Sequence, residues 1–441
     1  METDSNYKKY DLSKKISKYI DVHLLVKILD HLSTTNIYST ESISKAKIKA
    51  YYQTKMISPI REIYENLDTP IPEEVDEYEL KYEEEHDELV QCNVNTLEVL
   101  GDDTLIEELK SLNNGDNFSL KLFSRFPELN EEDTLPNLFN YIRILFDMGR
   151  YDHVRVCLLY MMKILHYADP LYFSVSWGLA ISSILIEEWS EAANHLQFVM
   201  ENSESYNQNK KNMDILVNDL WIIHASVFVY FRLSNGREQF TDKILDKPLY
   251  MNAMQNCCPY MFRYYAFTVV SSNKRNAIKD LVKILEAERE IYSDPITEFV
   301  LALFSDFDFD SARKNLDECK KIFEIDYFLC EDSFPSAYDD FVNGARRLLF
   351  EVFSRIHKII SLQMLSEWLN LDLDDAERWV VSLLKRENVK IDSKKGIIII
   401  GNKDTSFYSN LISKTKLLAF KSQVMYLELK NRVTSLSGEY N

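Results

Sequence analysis

The chain has 441 residues, a formal net charge of −19, and nine glycines and ten prolines, which are few for its length. A single hydrophobic core stops growing near roughly 250–300 residues, so the chain must divide or stack, and the scarcity of turn formers excludes a mainly β fold. A hydrophobic share of 46% excludes a mainly disordered chain, and the negative balance excludes phosphate binding across a broad face.

The first ten residues are polar and lack the apolar stretch of a signal peptide, so the chain is expected to stay inside the cell. Helical periodicity begins at Asp11. Leu12, Ile16, Tyr19 and Ile20, then His23, Leu24, Ile28 and Leu32, fall on one face at steps of three and four, which predicts N-terminal helical hairpins over residues 1–72. After a proline-containing break at 68–72, residues 73–88 hold ten acids against Lys81 alone. Residues 73–110 are therefore expected to form an acidic exposed helix or a charged linker.

Residues 111–290 predict a solenoid of tetratricopeptide-like or HEAT-like helical hairpins. Tyr151, Val154 and Leu158 follow Gly149, Trp189, Ala192 and Leu196 follow Glu187-Glu188, and Phe309, Ala312 and Leu316 follow Asp306. In this pattern an aromatic packs on the partner helix, a small residue lets backbones approach, and leucine fills the seam. The longest uncharged run, residues 171–186, is short for a bilayer span and reads as a buried helix.

Asp294-Pro295-Ile296 predicts a helix start, with Asp as cap and Pro at the first helical position. A further domain spans 291–402, its helical part at 291–357. Over 358–402 the text reads as a winged helix. Leu362, Leu365, Trp368 and Leu369 make one helix, and Asp374 with Glu377 forms a capping box for a second helix carrying Ala376, Trp379 and Val380. Val389 and Ile391 make a strand, Ser393 to Gly396 a turn, and Ile397 to Ile400 a second strand. A last long helix covers 405–436, where Leu411, Leu418 and Met425 recur every seven residues beside Leu429 and Leu436.

No chemistry-bearing constellation appears. The glycines are too scattered to cradle phosphate, and the eight histidines form no zinc-binding pair. The six cysteines show no metal spacing, so they are expected to be reduced core thiols, the adjacent pair Cys257-Cys258 included. The chain is accordingly expected to be no enzyme and to need no cofactor. DNA reading is disfavoured because Asp374, Asp375 and Glu377 crowd the end of the helix that would enter a groove. The winged helix is instead expected to pair with a neighbouring protein through the strand edge of Ile391, Ile397, Ile398, Ile399 and Ile400. The terminal helix, through Leu411, Leu418, Met425, Leu429 and Leu436, is expected to pack among other subunits. Twelve bases against four acids over residues 378–432 leave a second role open, with Lys394 and Lys395 as RNA contacts.

A solenoid, a winged helix and a tail helix together resemble the PCI proteins, scaffold subunits shared by the proteasome lid, the signalosome and translation initiation factor 3. Asp294-Pro295-Ile296-Thr297-Glu298-Phe299, Phe307-Asp308-Phe309-Asp310, Trp221-Ile222-Ile223-His224, Leu249-Tyr250-Met251-Asn252-Ala253 and Ala376-Glu377-Arg378-Trp379-Val380 are similar to the family of PCI subunits found in that initiation factor. The likeness runs in order over about residues 7–433 and is poor over 73–109. It implies a PCI domain over 291–402 and a non-catalytic scaffold. The implied partners are other subunits of translation initiation factor 3, the small ribosomal subunit and the cap-complex scaffold protein, with RNA contact weak or indirect and no membrane. The implied location is the cytoplasm, with a minor nuclear pool. Membership of the proteasome lid or signalosome is the alternative within the same class.

Overall fold

The computed structural model describes residues 7–35, 37–101, 131–165, 170–207, 211–233, 235–272, 274–330, 336–357, 359–369, 372–384, 389–392, 396–400 and 407–438. It forms two compact units, Met1–Ala345 and Arg346–Asn441. Helix dominates the first, as the composition requires. The order there is α1 (Val22–Thr34), α2 (Thr40–Tyr51), α3 (Ser58–Asn66), α4 (Glu73–Gly101), α5 (Glu131–Asp147), α6 (Tyr151–Ile164), α7 (Pro170–Ile186), α8 (Trp189–Asn207), α9 (Asn212–Tyr230), α10 (Gly236–Asp246), α11 (Pro248–Cys257), α12 (Phe262–Ser272), α13 (Arg275–Glu288), α14 (Pro295–Phe304) and α15 (Phe309–Ile325). Helix α16 (Ala337–Ile356) carries the chain from the first unit into the second.

Most of the periodic N-terminal stripe is buried: Leu12, Ile16, His23, Leu24, Ile28 and Leu32 face inward, while Tyr19 and Ile20 are half-buried. This segment lies along the stack, with His23 Nδ1 2.8 Å from the Tyr151 hydroxyl and His31 Nε2 3.2 Å from the Ile325 carbonyl. The acidic stretch is a helix. Val75 of α4 packs against Tyr51, Ile57 and Ile60, while Arg61 pairs with Asp76 and Glu79, and Lys55 with Glu85, on the charged side. The boundary expected at 110 lies outside the described residues.

The three aromatic–small–leucine triplets each open a helix, α6, α8 and α15. Val154, Ala192 and Ala312 are buried, as are Leu158, Leu196 and Leu316, so the small position and the seam position act as the pattern requires. Tyr151 meets Phe146 of the preceding helix edge to face, with ring centroids 5.7 Å apart. The residues before α6 and α8 form the same C-terminal turn. Arg150 N donates to Leu145 O and Glu188 N to Ser183 O, while Gly149 N and Glu187 N donate to Phe146 O and Ile184 O. This pairing answers the orphan carbonyls of a helix end and needs one residue in the left-handed region, here Gly149 at φ 80° and Glu187 at φ 71°.

Residues 171–186 fall in α7, whose Val175, Leu179, Ala180, Ile184 and Leu185 are buried while Leu171 at its start is exposed. In α9, residues Met213–Tyr230 are long and apolar enough to cross a membrane, but from Asp219 to Phe231 only Trp221 is exposed and the rest pack inside the stack. His224 on that helix donates from Nδ1 to the Leu220 carbonyl (2.6 Å) and accepts from the Tyr260 hydroxyl at Nε2 (2.9 Å). Burial pushes its pKa down to about 4, so it is a neutral core histidine with both nitrogens used. All six cysteines are free, and burial pushes the Cys258 thiol up to about 12.

A buried ion triad ties the end of the stack together. Arg263 of α12 donates from Nε to Asp294 Oδ2 (2.8 Å) and from Nη1 to Asp326 Oδ2 (3.0 Å) and the Tyr10 carbonyl (2.9 Å). The hydroxyls of Tyr292 and Tyr264 donate to Asp294 and Asp326 at 2.7 and 2.9 Å. Burial alone would lower the guanidinium pKa, but Tyr292, Asp294 and Asp326 hold it well above its ordinary value. Asp294 also caps α14 in a capping box with Thr297, so the cap read from Asp294-Pro295 is present and serves two purposes. Nearby, α16 crosses α12 at Gly344, where a Cβ would stand 2.4 Å from the Val270 carbonyl oxygen.

Candidate subunit-docking surfaces

The second unit begins in α16 and continues through β1 (Ile359–Ser361), α17 (Leu362–Leu369), α18 (Leu373–Leu384), β2 (Val389–Asp392), β3 (Ile397–Ile400) and α19 (Phe407–Gly438). Helix α18 starts at Leu373, one residue ahead of the expected cap. Asp374 is therefore no cap: with Asp375 it lies exposed in the first turn, where the helix dipole favours carboxylates. Ala376 and Val380 turn inward, and Trp379 meets Phe350 edge to face at 6.0 Å.

The sheet order is β1-β3-β2, and this corrects the expected docking edge. Ile397 to Ile400 form the middle strand. Ile359, Ile360 and Ser361 pair antiparallel with Ile399, Ile398 and Ile397 on one side, and Val389 to Asp392 pair with Ile400 to Ile397 on the other. Strand β3 is thus enclosed between two neighbours and has no free edge to offer a partner. The edges belong to β1 and to β2, which carries Ile391.

Side chains along β3 alternate across the sheet as the pleat dictates. Ile398 is fully buried opposite Ile360, part of the module's core and unavailable for docking. Ile399 is 43% exposed and stands opposite Ile359, which is 65% exposed, so the outer face presents two adjacent isoleucines. Ile397 is half-buried. Nothing is described for the side chains of Ile391 and Ile400, and Lys394 and Lys395 lie outside the described residues.

Helix α19 exposes far more apolar surface than the seven-residue line suggested. Leu411, Leu418, Met425 and Leu429 are exposed as expected, and so are Ile412, Leu417, Phe420, Val424, Tyr426 and Leu427, each between 39% and 66%. Consecutive helical positions point about 100° apart, so Val424 to Leu427 alone cover most of the circumference. The signal was legible in the run Val424-Met425-Tyr426-Leu427, which a search restricted to one stripe passes over. Leu436 lies on the same helix, its side chain not described.

A helical stack that passes into a winged helix and then into a long apolar helix defines a PCI-type scaffold. A family model described as PCI domain matches residues 317–402, which begin inside α15 rather than at 291. A second model, eIF3 subunit 6 N terminal domain, matches residues 11–134. Relatives named as the E subunit of eukaryotic translation initiation factor 3 match nearly end to end. The Caenorhabditis elegans protein is 30% identical over 428 residues, covering 96% of this chain and 97% of its own length. The Bombyx mori protein is 32% identical over 429 residues, covering 95% of each, and the Aedes aegypti protein 32% over 446 residues, covering 98% and 99%. The chain belongs to this family, the E subunits of eukaryotic translation initiation factor 3.

Proposed function

We propose that the chain is a non-catalytic scaffold subunit of translation initiation factor 3, working in the cytoplasm to hold other subunits of that complex together on the small ribosomal subunit. The observation that carries this reading is α19, whose apolar side chains between Leu411 and Leu429 are exposed on more than one side of the helix, interspersed with charged residues. Apolar side chains exposed on more than one side call for cover from more than one direction, which several neighbouring helices supply and one groove does not. Its bases Lys414, Lys416, Lys421 and Lys430 suit acidic flanks on those helices. The outer sheet face at Ile359 and Ile399, with the edge of β2 at Ile391, takes the second docking role, extending a neighbour's sheet in place of the internal strand β3.

The reading that this chain catalyses no reaction is supported by two sets of buried ionisable groups that already satisfy one another. Arg263, Asp294 and Asp326 satisfy one another, and His224 uses both nitrogens inside the core. Contact with the cap-complex scaffold protein, and a minor nuclear pool, are secondary parts of the same proposal. The test is affinity purification of the full chain beside a variant lacking residues 405–441. The full chain recovers initiation-factor subunits and small-subunit proteins, and the deletion loses them while its helical circular dichroism and melting transition persist. Equal recovery by both would refute the docking role of α19, and recovery of proteasome-lid or signalosome subunits would refute the choice of complex.

A further inference from the structure

Three helices of the stack are preceded by a residue in the left-handed region, in two of them within the same turn and in the third within a wider one. Two positions before α6, α8 and α15 stand Gly149, Glu187 and Phe307, all in the left-handed region, with φ of 80°, 71° and 53°. Glycine fits such a position without strain, whereas a bulky aromatic there is an outlier. Nothing in the turn needs the ring. Asp306 N donates to Leu301 O (3.1 Å) and Asp308 N to Ala302 O (2.9 Å), closing the helix end with backbone alone. Asp308 caps α15 by accepting from the backbone of Asp310 and Ser311. The Phe307 side chain is left 54% exposed.

A second apolar side chain stands on the adjoining connection between α13 and α14. Ile291 is 68% exposed, and Arg289, two residues before it, binds Glu298 (3.0 Å) and Asp306 (3.1 Å), which holds the two connections side by side. The surroundings are acidic on balance: Glu290, Asp306, Asp308 and Asp310 are exposed, against the exposed cations Arg289, paired with Asp306, and Lys314, which faces Asp308. A strained conformation that also exposes an aromatic costs stability twice, and such positions persist where the residue is used by a partner.

We propose that Phe307, with Ile291 on the adjoining connection, is a docking knob that inserts into an apolar pocket on another protein subunit, a pocket whose rim carries lysine or arginine. The acidic rim selects that occupant: it complements a basic protein surface and repels the phosphates of RNA. The inference deepens the scaffold reading and rests on it for the partner's identity.

The experiment compares the wild-type full chain with Phe307→Gly and Phe307→Leu, and with a benzophenone-bearing residue placed at 307. Phe307→Gly relieves the backbone and is expected to raise the melting temperature of the purified chain by about 1–3 °C. In affinity purification it is expected to recover one initiation-factor subunit about fivefold less well than wild type. Phe307→Leu restores most of that recovery, and the benzophenone crosslinks to the same subunit beside a lysine or arginine. Undiminished recovery of every subunit by Phe307→Gly, or crosslinks confined to this chain or to RNA, would overturn the knob. If the wild type recovers no initiation-factor subunit, the scaffold reading falls, and the crosslink still decides the knob separately: a basic-rimmed site on an identified protein supports it, and self or RNA crosslinks refute it.

Discussion

Replacing Arg263 by methionine removes the cation that two buried carboxylates share while keeping most of the side-chain volume. Arg263 is essentially inaccessible to water, as are its partners Asp294 and Asp326, at 2.8 and 3.0 Å. Breaking a buried pair from one side leaves uncompensated charge and typically costs about 3–5 kcal/mol. Here one cation answers two anions, so the upper end applies, and the melting temperature should fall by roughly 5–10 °C for a unit of this size. The loss should also be felt at the N-terminus, because Nη1 holds the Tyr10 carbonyl at 2.9 Å. Amide hydrogen exchange on the purified chain should show faster exchange over residues 10–16 than over α9. Adding Asp294→Asn and Asp326→Asn to the methionine variant removes the orphaned charges and should recover at least half of the loss. A methionine variant as stable as wild type, or a triple variant less stable than the single one, would refute the view that the triad is a satisfied unit.

Four other substitutions test the packing and the buried charge. Gly344→Leu puts a side chain against the Val270 carbonyl, 2.4 Å from its Cβ, and should destabilise by about 1–3 kcal/mol or more, measured by thermal unfolding. Ile398→Asp buries a charge in the centre of the sheet and should abolish protection of the β1, β2 and β3 amides, whereas Ile399→Asp, on the outer face, should leave that protection intact and weaken only complex recovery. Asp219 is buried, and desolvation, only partly offset by Lys247, pushes its pKa up from the ordinary carboxylate value to about 6. The folded chain therefore holds this proton more tightly than the unfolded one, so its contribution to stability falls as pH rises from about 4 to 6 and stays low above. Asp219→Asn should flatten that slope and stabilise the chain at neutral pH by at most about 3 kcal/mol, read from melting temperatures across pH; a steeper slope in the variant would contradict the assignment.

The helices were legible because burial imposes a period. The N-terminal stripe, the three triplets and the Asp294 cap are local patterns, and each is found where the sequence put it. The sheet order was not legible. Strand β1 is three residues long and runs directly into α17, so Ile359-Ile360-Ser361 reads as a helix lead-in, and only its pairing with β3 reveals that the ribbon has a third strand. The Arg263 triad was hidden for another reason: its carboxylates lie 31 and 63 positions away, and no period links them. Phe307 stands out in the sequence only through its family resemblance, since a left-handed φ at a non-glycine leaves no mark in composition. Likewise α19 announced its length but not the exposed apolar residues outside the seven-residue line, because one seam leaves out the residues on the other sides.

If other subunits bury the exposed apolar helix α19, the chain spends its working life inside a larger assembly. Native mass spectrometry of the tagged full chain, purified gently from its own cells, tests this most directly. The chain is then expected in assemblies many times heavier than its own 51.9 kDa, and to be released from them when residues 405–441 are removed. A dominant species at 51.9 kDa for the full chain, or heavy assemblies that persist unchanged after the deletion, would contradict it.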